Sequence, residues 1–205
     1  MWKINFKSIV LLLLTALIVT SFIGCKKGED DPWLSFRGRK NRITNNWKLQ
    51  KGRVLITTYP PLGGSSQRTI NYAEGGGYSV SETGGFTEQG SYEIKLRFYQ
   101  DGRFTKEHNE TPNGSTRGTS KEEGTWHFSG GNSNFEKREL LALLKEESSF
   151  LSQNTSLNTS INYNGGNLFQ IQRLAFQELV LKAKQRITSG GTIQEIDEEW
   201  TFIPQ

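Results

Sequence analysis

The sequence predicts an all-β chain folded as a closed antiparallel β-barrel of about 8–10 strands after a short N-terminal helix. Glycine is abundant (22 residues) and proline scarce (5 residues) among the 205 residues, which favours short strands joined by glycine turns. Segments rich in β-branched and aromatic residues recur at regular spacing, and several alternate apolar with charged residues. A closed barrel would bury one face of such strands and leave few exposed edges.

The first predicted element is a short helix within residues 30–43. Asp31 followed by Pro32 is typical of a helix start, because aspartate caps the first turn and proline fits its first position. The apolar residues that fall near one face of this helix are Trp33, Phe36 and Ile43.

Residues 91–108 form the clearest hairpin. Asp101-Gly102 supplies the turn between two alternating segments, which is the strongest short-range hairpin signal. Tyr92, Ile94, Leu96 and Phe98 are expected to be buried, with Glu93, Lys95 and Arg97 on the opposite face. The other predicted strands lie at 45–59, 67–73, 77–82, 122–128 and 193–205, with two more within 167–187.

The run LLALL within residues 137–147 has two interpretations. Its propensities and length suit a helix, whereas an apolar run between charges suits a buried strand, and periodicity does not separate the two. Both interpretations stay open on the residues alone, and a helix at 138–146 would reduce the number of strands in the barrel.

Two polar segments, 109–121 and 148–167, are predicted to be loops. The second is long for a compact domain, which favours either a mobile or a functional segment. It carries apolar residues in a polar frame, and Phe150, Leu157 and Tyr163 are candidates for the rim of a cavity entrance. They could equally pack over the barrel end as a plug.

The first 24 residues have the zones of a secretory signal. Lys3 and Lys7 precede an apolar run at 9–19, which is shorter than the roughly 20 residues needed to span a bilayer. The junction at Gly24-Cys25 resembles the lipobox of bacterial lipoproteins. These proteins are cleaved before a cysteine, which then carries the lipid. This resemblance implies that Cys25 anchors the protein to a membrane of the cell envelope.

The domain organisation then follows. Residues 1–24 are the lipoprotein signal peptide, 25–31 the lipidated tether, and 32–205 one barrel domain of a size usual for a single domain. The tether KKGEDD has two interpretations, a plain solvated linker or a signal resembling that of Bacteroidetes surface lipoproteins. The expected location is the outer membrane, with exposure at the cell surface as one outcome.

Charge is distributed unevenly along the chain. The formal net charge is +4, and it falls to +2 once the signal is removed, because the signal carries two lysines and no acid. Residues 32–73 hold eight basic residues and no acid. This segment could dock on anionic lipid, but a face balanced by later acids is favoured, and neither charge nor motif suggests nucleic acid. Those acids are Glu195, Asp197, Glu198 and Glu199.

Five segments together resemble the lipocalin-like domain lipoproteins of Bacteroidetes. In order they are DPWLSFRGRKNRITNNWKLQ, LRFYQDGRFT, EEGTWHF, IQRLAFQELVL and the terminal EEWTF. The resemblance spans roughly residues 32–203 and implies an up-and-down barrel in which 138–145 is a strand.

Catalytic and metal-binding patterns are weak. There are two histidines, no G-x-S-x-G elbow and no clustered metal ligands, so neither an enzyme, a cofactor nor a metal is expected. Binding of a small apolar ligand or a surface partner is the predicted function. The alternative is a structural or interaction lipoprotein with a packed, ligand-free barrel. The residues that would either line a cavity or fill the core are Trp47, Trp126 and Trp200.

Overall fold

The computed structural model describes residues 38–113, 118–130, 140–152, 155–161 and 165–205. They form one short helix and eleven strands, and the predicted all-β fold is confirmed. The helix is α1 (Arg39–Ile43). The strands are β1 (Asn46–Tyr59), β2 (Ser66–Tyr72), β3 (Gly77–Glu82), β4 (Thr87–Phe98), β5 (Arg103–Pro112), β6 (Gly118–Ser129), β7 (Leu140–Ser152), β8 (Thr155–Ile161), β9 (Gly165–Leu174), β10 (Leu179–Ser189) and β11 (Thr192–Pro204).

Ten of the strands close into an antiparallel barrel in the order β6-β5-β4-β3-β2-β1-β11-β10-β9-β7, with β7 pairing back onto β6. The β2–β3 hairpin is inserted beside the second half of β1, whereas the first half of β1 pairs directly with β4 at Asn46–Lys48. We call the end of the barrel that carries α1 the lower end, and the opposite end the upper end. β8 extends the wall above β9 by pairing with the last residues of β7.

The lower end is packed with apolar side chains and closed by α1. Ile43 and Trp47 are fully buried, and the Trp47 indole donates a hydrogen bond to the Ile43 carbonyl at 2.8 Å. Buried Arg42 donates to the carbonyl of Leu174, the last residue of β9. Since the helix is bonded to two strands and buries its apolar residue, it acts as the floor of the barrel. Only its residues from Gly38 onward are described, so the predicted start at Asp31-Pro32 lies outside them.

The β4–β5 hairpin has the predicted orientation. All four residues expected inside are buried, and Arg97 is exposed. Glu93 and Lys95 are partly covered, because Lys95 contacts Glu93 at 3.0 Å on the outer face of the sheet. The four inward residues are Tyr92, Ile94, Leu96 and Phe98.

The predicted strand at LLALL is also confirmed, but the two predicted loops are wrong. β5 runs to Pro112 and β6 starts at Gly118, while β7 continues to Ser152 and β8 follows at Thr155. The backbone of β7 is paired to β6 as far as Leu151. Serine, threonine and asparagine obscured these strands because they do not alternate with apolar residues, although backbone pairing holds them in the sheet.

Acidic residues of β11 balance the basic residues of β1 and β10. Arg53 lies opposite Glu199 in the β1–β11 ladder, and Lys182 contacts the same carboxylate at 3.3 Å. Lys184 contacts Asp197 at 3.1 Å. This part of the barrel surface is therefore a mixed-charge face, whereas Glu198 faces the barrel interior. That the acids of β11 balance the basic segment 32–73 as a whole stays a prediction. No helix among the described residues is long and apolar enough to cross a membrane.

Candidate functional site

The inward-facing residues change from apolar to polar towards the upper end of the barrel. On β5 the order is Phe104, Lys106, His108, and on β11 it is Phe202, Trp200, Glu198. Because side chains on a strand alternate between its faces, these residues share the interior face of each strand. The same change occurs on β7, where Lys145 follows Leu141 and Leu143, and on β9, where Asn167 precedes Phe169 and Ile171.

A cavity of about 80 Å³ lies where this change occurs. Its charged side comes from three neighbouring strands, with Lys106 on β5, Glu122 on β6 and Lys145 on β7. Asn167, Glu198 and the ring of Trp200 complete the polar part of the wall. The apolar wall consists of Ile94, Leu96, Leu143, Phe169, Leu181 and Phe202. The site can therefore hold a molecule with one apolar and one polar part.

The charged side of the cavity is built around the carboxylate of Glu122. Lys145 Nζ donates to Glu122 Oε1 at 2.8 Å, and Lys106 Nζ lies 3.8 Å from Oε2. Burial alone would raise the pKa of Glu122, but the charges of Lys106 and Lys145 and the hydrogen bond from Lys145 lower it below its usual value. Glu122 is thus held as a carboxylate inside the barrel.

A second polar cluster extends from Trp200 towards the upper end. The Tyr72 hydroxyl donates to Glu110 Oε1 at 2.8 Å, and the Tyr72 ring lies 5.4 Å from that of Trp200. Burial, followed by the charge of Glu110, raises the pKa of Tyr72, so its hydroxyl remains a hydrogen-bond donor. His108 Nε2 lies 2.9 Å from the same oxygen, but this buried atom is not aligned for a hydrogen bond.

Trp200 is held in place from two directions. Its indole donates to Glu198 Oε2 at 3.0 Å. Gly52 lies directly opposite on β1, and a Cβ there would come within 2.7 Å of Trp200 Cε3. The ring therefore occupies the space that a side chain at position 52 would need, which fixes one wall of the cavity.

The structure separates the three candidate tryptophans. Trp200 lines the cavity, whereas Trp47 and Trp126 lie in the packed core near the lower end. Trp126 donates to the Tyr99 carbonyl at 3.0 Å and packs edge-on against Phe98 and Phe128. A ligand-binding role for all three stays a prediction.

The remaining candidate residues have no described side chains near the cavity. Phe150 lies on the backbone of β7 and Leu157 on that of β8, rather than in a loop. Tyr163 and the lipidation candidate Cys25 lie outside the described residues. Their predicted roles therefore stay predictions.

Sequence reasoning missed the charged side of the cavity. Glu122 and Glu123 do face opposite ways, but Glu122 points into the barrel and Glu123 pairs with Lys121 outside. A signal was present, because Trp126 and Phe128 face inward and a period of two places Glu122 on the same face. The sequence prediction did not use this signal, because two adjacent acidic residues usually lie on a solvent-exposed surface.

The cavity combines an apolar wall with a charged one. Among the residues described, no group of three or more histidine, cysteine or acidic side chains is placed to hold a metal ion. Comparison with known proteins finds no matching family model, curated protein or solved structure.

Proposed function

We propose that this protein is a lipid-anchored lipoprotein of the cell envelope whose lipocalin-like barrel binds a small, largely apolar molecule without catalysis. The observation that carries the proposal is the interior cavity, where six apolar side chains meet a polar wall. Pockets for drug-sized ligands measure about 300–1,000 Å³. A cavity of about 80 Å³ therefore suits a small molecule, or one end of a larger molecule.

Ligand binding is tested by thermal unfolding of the full chain in nanodiscs of neutral lipid. Small apolar and amphipathic molecules are added one at a time, with empty nanodiscs as the blank. A molecule that binds the native state should raise the melting temperature as its concentration increases, because a concentration of 100 Kd contributes about 2.7 kcal/mol.

A cavity-filling variant makes this test specific. Leu181→Phe adds volume to the cavity wall and should abolish the shift, whereas Leu168→Phe, at an exposed position on β9, should retain it. If no molecule raises the melting temperature of the unmodified chain, the ligand-binding proposal is wrong. The runner-up function, a packed structural or interaction barrel, would then be preferred, and the small cavity and the buried Trp47 and Trp126 favour it.

The lipid anchor has its own test. Cys25→Ala should prevent acylation, so that the protein is found in the soluble fraction or keeps its signal peptide. The unmodified chain, expressed in parallel in a bacterium with an outer membrane, should be found in that membrane. If the variant is still recovered as a processed, acylated membrane protein, Cys25 is not the anchor.

A further inference from the structure

We infer that the preferred ligand of the cavity is a short-chain carboxylate, whose acid group is bound by Lys106 on the charged side of the wall. This inference rests on the proposed ligand-binding function and adds to it the charge of the ligand. The inference is based on the position of the Glu122 carboxylate between the ammonium groups of Lys106 and Lys145, beside an apolar wall.

Lys106 is the charged residue of the cavity whose hydrogen-bond donors have no acceptor in the part of the chain that the structure describes. Its side chain is 29% exposed and lines the cavity, and its Nζ lies 3.8 Å from Glu122, too far for a hydrogen bond. None of its three ammonium donors has a hydrogen-bond partner among the described residues. An acceptor that enters the cavity can bond to this ammonium group, because its side chain lines the cavity and its donors are open in the described structure.

Lys145 differs from Lys106 because it is already bonded to Glu122. Its Nζ donates to Glu122 Oε1 at 2.8 Å, which neutralises one of the two positive charges. The cluster of these three side chains retains an excess of one positive charge. Glu198 on β11 brings the summed charge of the cavity lining to zero, but no ion pair within the described residues joins it to Lys106. An acid group beside Lys106 would therefore form a charge-assisted hydrogen bond.

Glu198 on β11 limits how much negative charge the cavity accepts. It also lines the cavity, and one of its oxygens accepts the Trp200 indole hydrogen bond. Two carboxylates facing one cavity disfavour a doubly charged group such as a phosphate monoester. This observation favours a monoanion, and the apolar wall beside it favours a short hydrocarbon chain on that monoanion.

The experiment compares three ligands with the same six-carbon chain: hexanoate, 1-hexanol and hexylamine. Their affinities are measured by calorimetry at neutral pH on the full chain in nanodiscs of neutral lipid, with empty nanodiscs as the blank. Hexanoate should bind about tenfold more tightly than 1-hexanol, the difference expected for one hydrogen bond to a charged group. Hexylamine should bind most weakly.

Matched variants assign the preference to Lys106. Lys106→Met should remove the tenfold preference for hexanoate and leave 1-hexanol binding nearly unchanged, whereas Lys106→Arg should retain it. Lys95→Met, on the outer face of β4, is the control and should change neither affinity. Glu198→Gln should strengthen hexanoate binding, since it removes a repulsive charge and keeps an acceptor for Trp200. If Lys106→Met fails to fold, loss of the preference is sought in Lys106→Gln, and Glu198→Gln tests separately whether charge in the cavity sets the affinity for hexanoate.

The results distinguish failure of the acid preference from failure of ligand binding itself. If 1-hexanol or hexylamine binds as tightly as hexanoate, the barrel binds ligands but the acid preference is wrong. An unchanged preference in folded Lys106→Met would also overturn the inference. If none of the three binds and no other small molecule raises the melting temperature, both the inference and the proposed function fail.

Discussion

At the scale of single residues, close backbone approach decides which side chains the barrel tolerates. Gly124 lies on β6 at a register shift opposite β7, and a Cβ there would come within 2.0 Å of the Leu144 carbonyl oxygen. The clash is with backbone, which cannot move aside as a flexible side chain can. Gly77 on β3 provides a contrast, because its nearest neighbour would be a carbonyl oxygen at 3.9 Å.

Gly124→Ala should therefore destabilise the protein by about 1–3 kcal/mol, the cost typical of overpacking. Gly77→Ala should change the free energy of unfolding by less than about 0.5 kcal/mol, as a substitution without a clash usually does. Urea unfolding of both variants measures the difference. Equal stability of the two variants would mean that β6 and β7 can separate at this point at little cost.

The ionisation of Glu122 makes the stability of the folded protein depend on pH. Its folded-state pKa lies below the ordinary value of 4.5, so the unfolded chain takes up its proton first as the pH falls. Its contribution to stability is therefore fully present above about pH 4.5 and is lost as the pH falls through the lower folded-state pKa.

Glu122→Gln should lower the free energy of unfolding by about 1–2 kcal/mol at neutral pH, because Lys145 loses an ionised partner. The difference from the unmodified chain should shrink below about pH 4. Urea unfolding across this pH range measures it. A difference that stays constant down to about pH 3 would assign the loss to packing instead of charge.

At the scale of elements, the ladder between β9 and β10 covers only the lower part of β10. Their ladder runs only from Leu179–Leu174 to Lys182–Gln170, although β10 pairs with β11 along its whole length. Above this ladder, the Gln185 side chain donates to Asn167 Oδ1 at 3.3 Å. The cavity residues Asn167, Phe169 and Leu181 lie beside this seam, so it is the part of the wall whose opening would expose the cavity.

Hydrogen exchange should therefore be faster in residues 183–189 than in residues 179–182 of the same strand. The lower residues are paired on both sides, whereas the upper residues are paired only to β11 within the described part of the chain. Exchange followed by mass spectrometry measures the two segments. Equal protection would show that another part of the chain covers the seam.

A strand could be predicted from the sequence where one of its faces is apolar and the other is charged. The β4–β5 hairpin was predictable because its inner face is apolar, its outer face is charged, and Asp101-Gly102 forms the turn. β7 and β8 were harder, because Ser148–Ser152 and Thr155–Ile161 are mostly polar and their pairing partners are set by the whole barrel. For the same reason the sequence could not place Lys106, Glu122 and Lys145 around one cavity, since three strands must first become neighbours.

At the scale of the whole molecule, the barrel is closed by strands from opposite ends of the chain. β11 lies between β1 and β10, and Trp47 is opposite Pro204. Thr201 and Phe202 are buried, and Trp200 lines the cavity. The lower half of β1 and the start of β10 both depend on these last residues for one set of backbone hydrogen bonds. Pairing between segments far apart in the sequence makes folding slow. Because both strands share β11, we expect the barrel to unfold as one cooperative unit.

Deletion of residues 200–205 should therefore abolish folding of the whole barrel instead of loosening one edge. The deletion exposes the core beside Trp47 and leaves β1 and β10 without their common neighbour. Deletion of Gln205 alone is the matched control, because it removes one exposed side chain and one hydrogen bond to Asn46. Near-ultraviolet circular dichroism and urea unfolding should show no cooperative transition for the larger deletion and a transition close to that of the intact chain for the control. A cooperative transition in the larger deletion would mean that the remaining strands close without β11, and that the two ends of the chain contribute independently to stability.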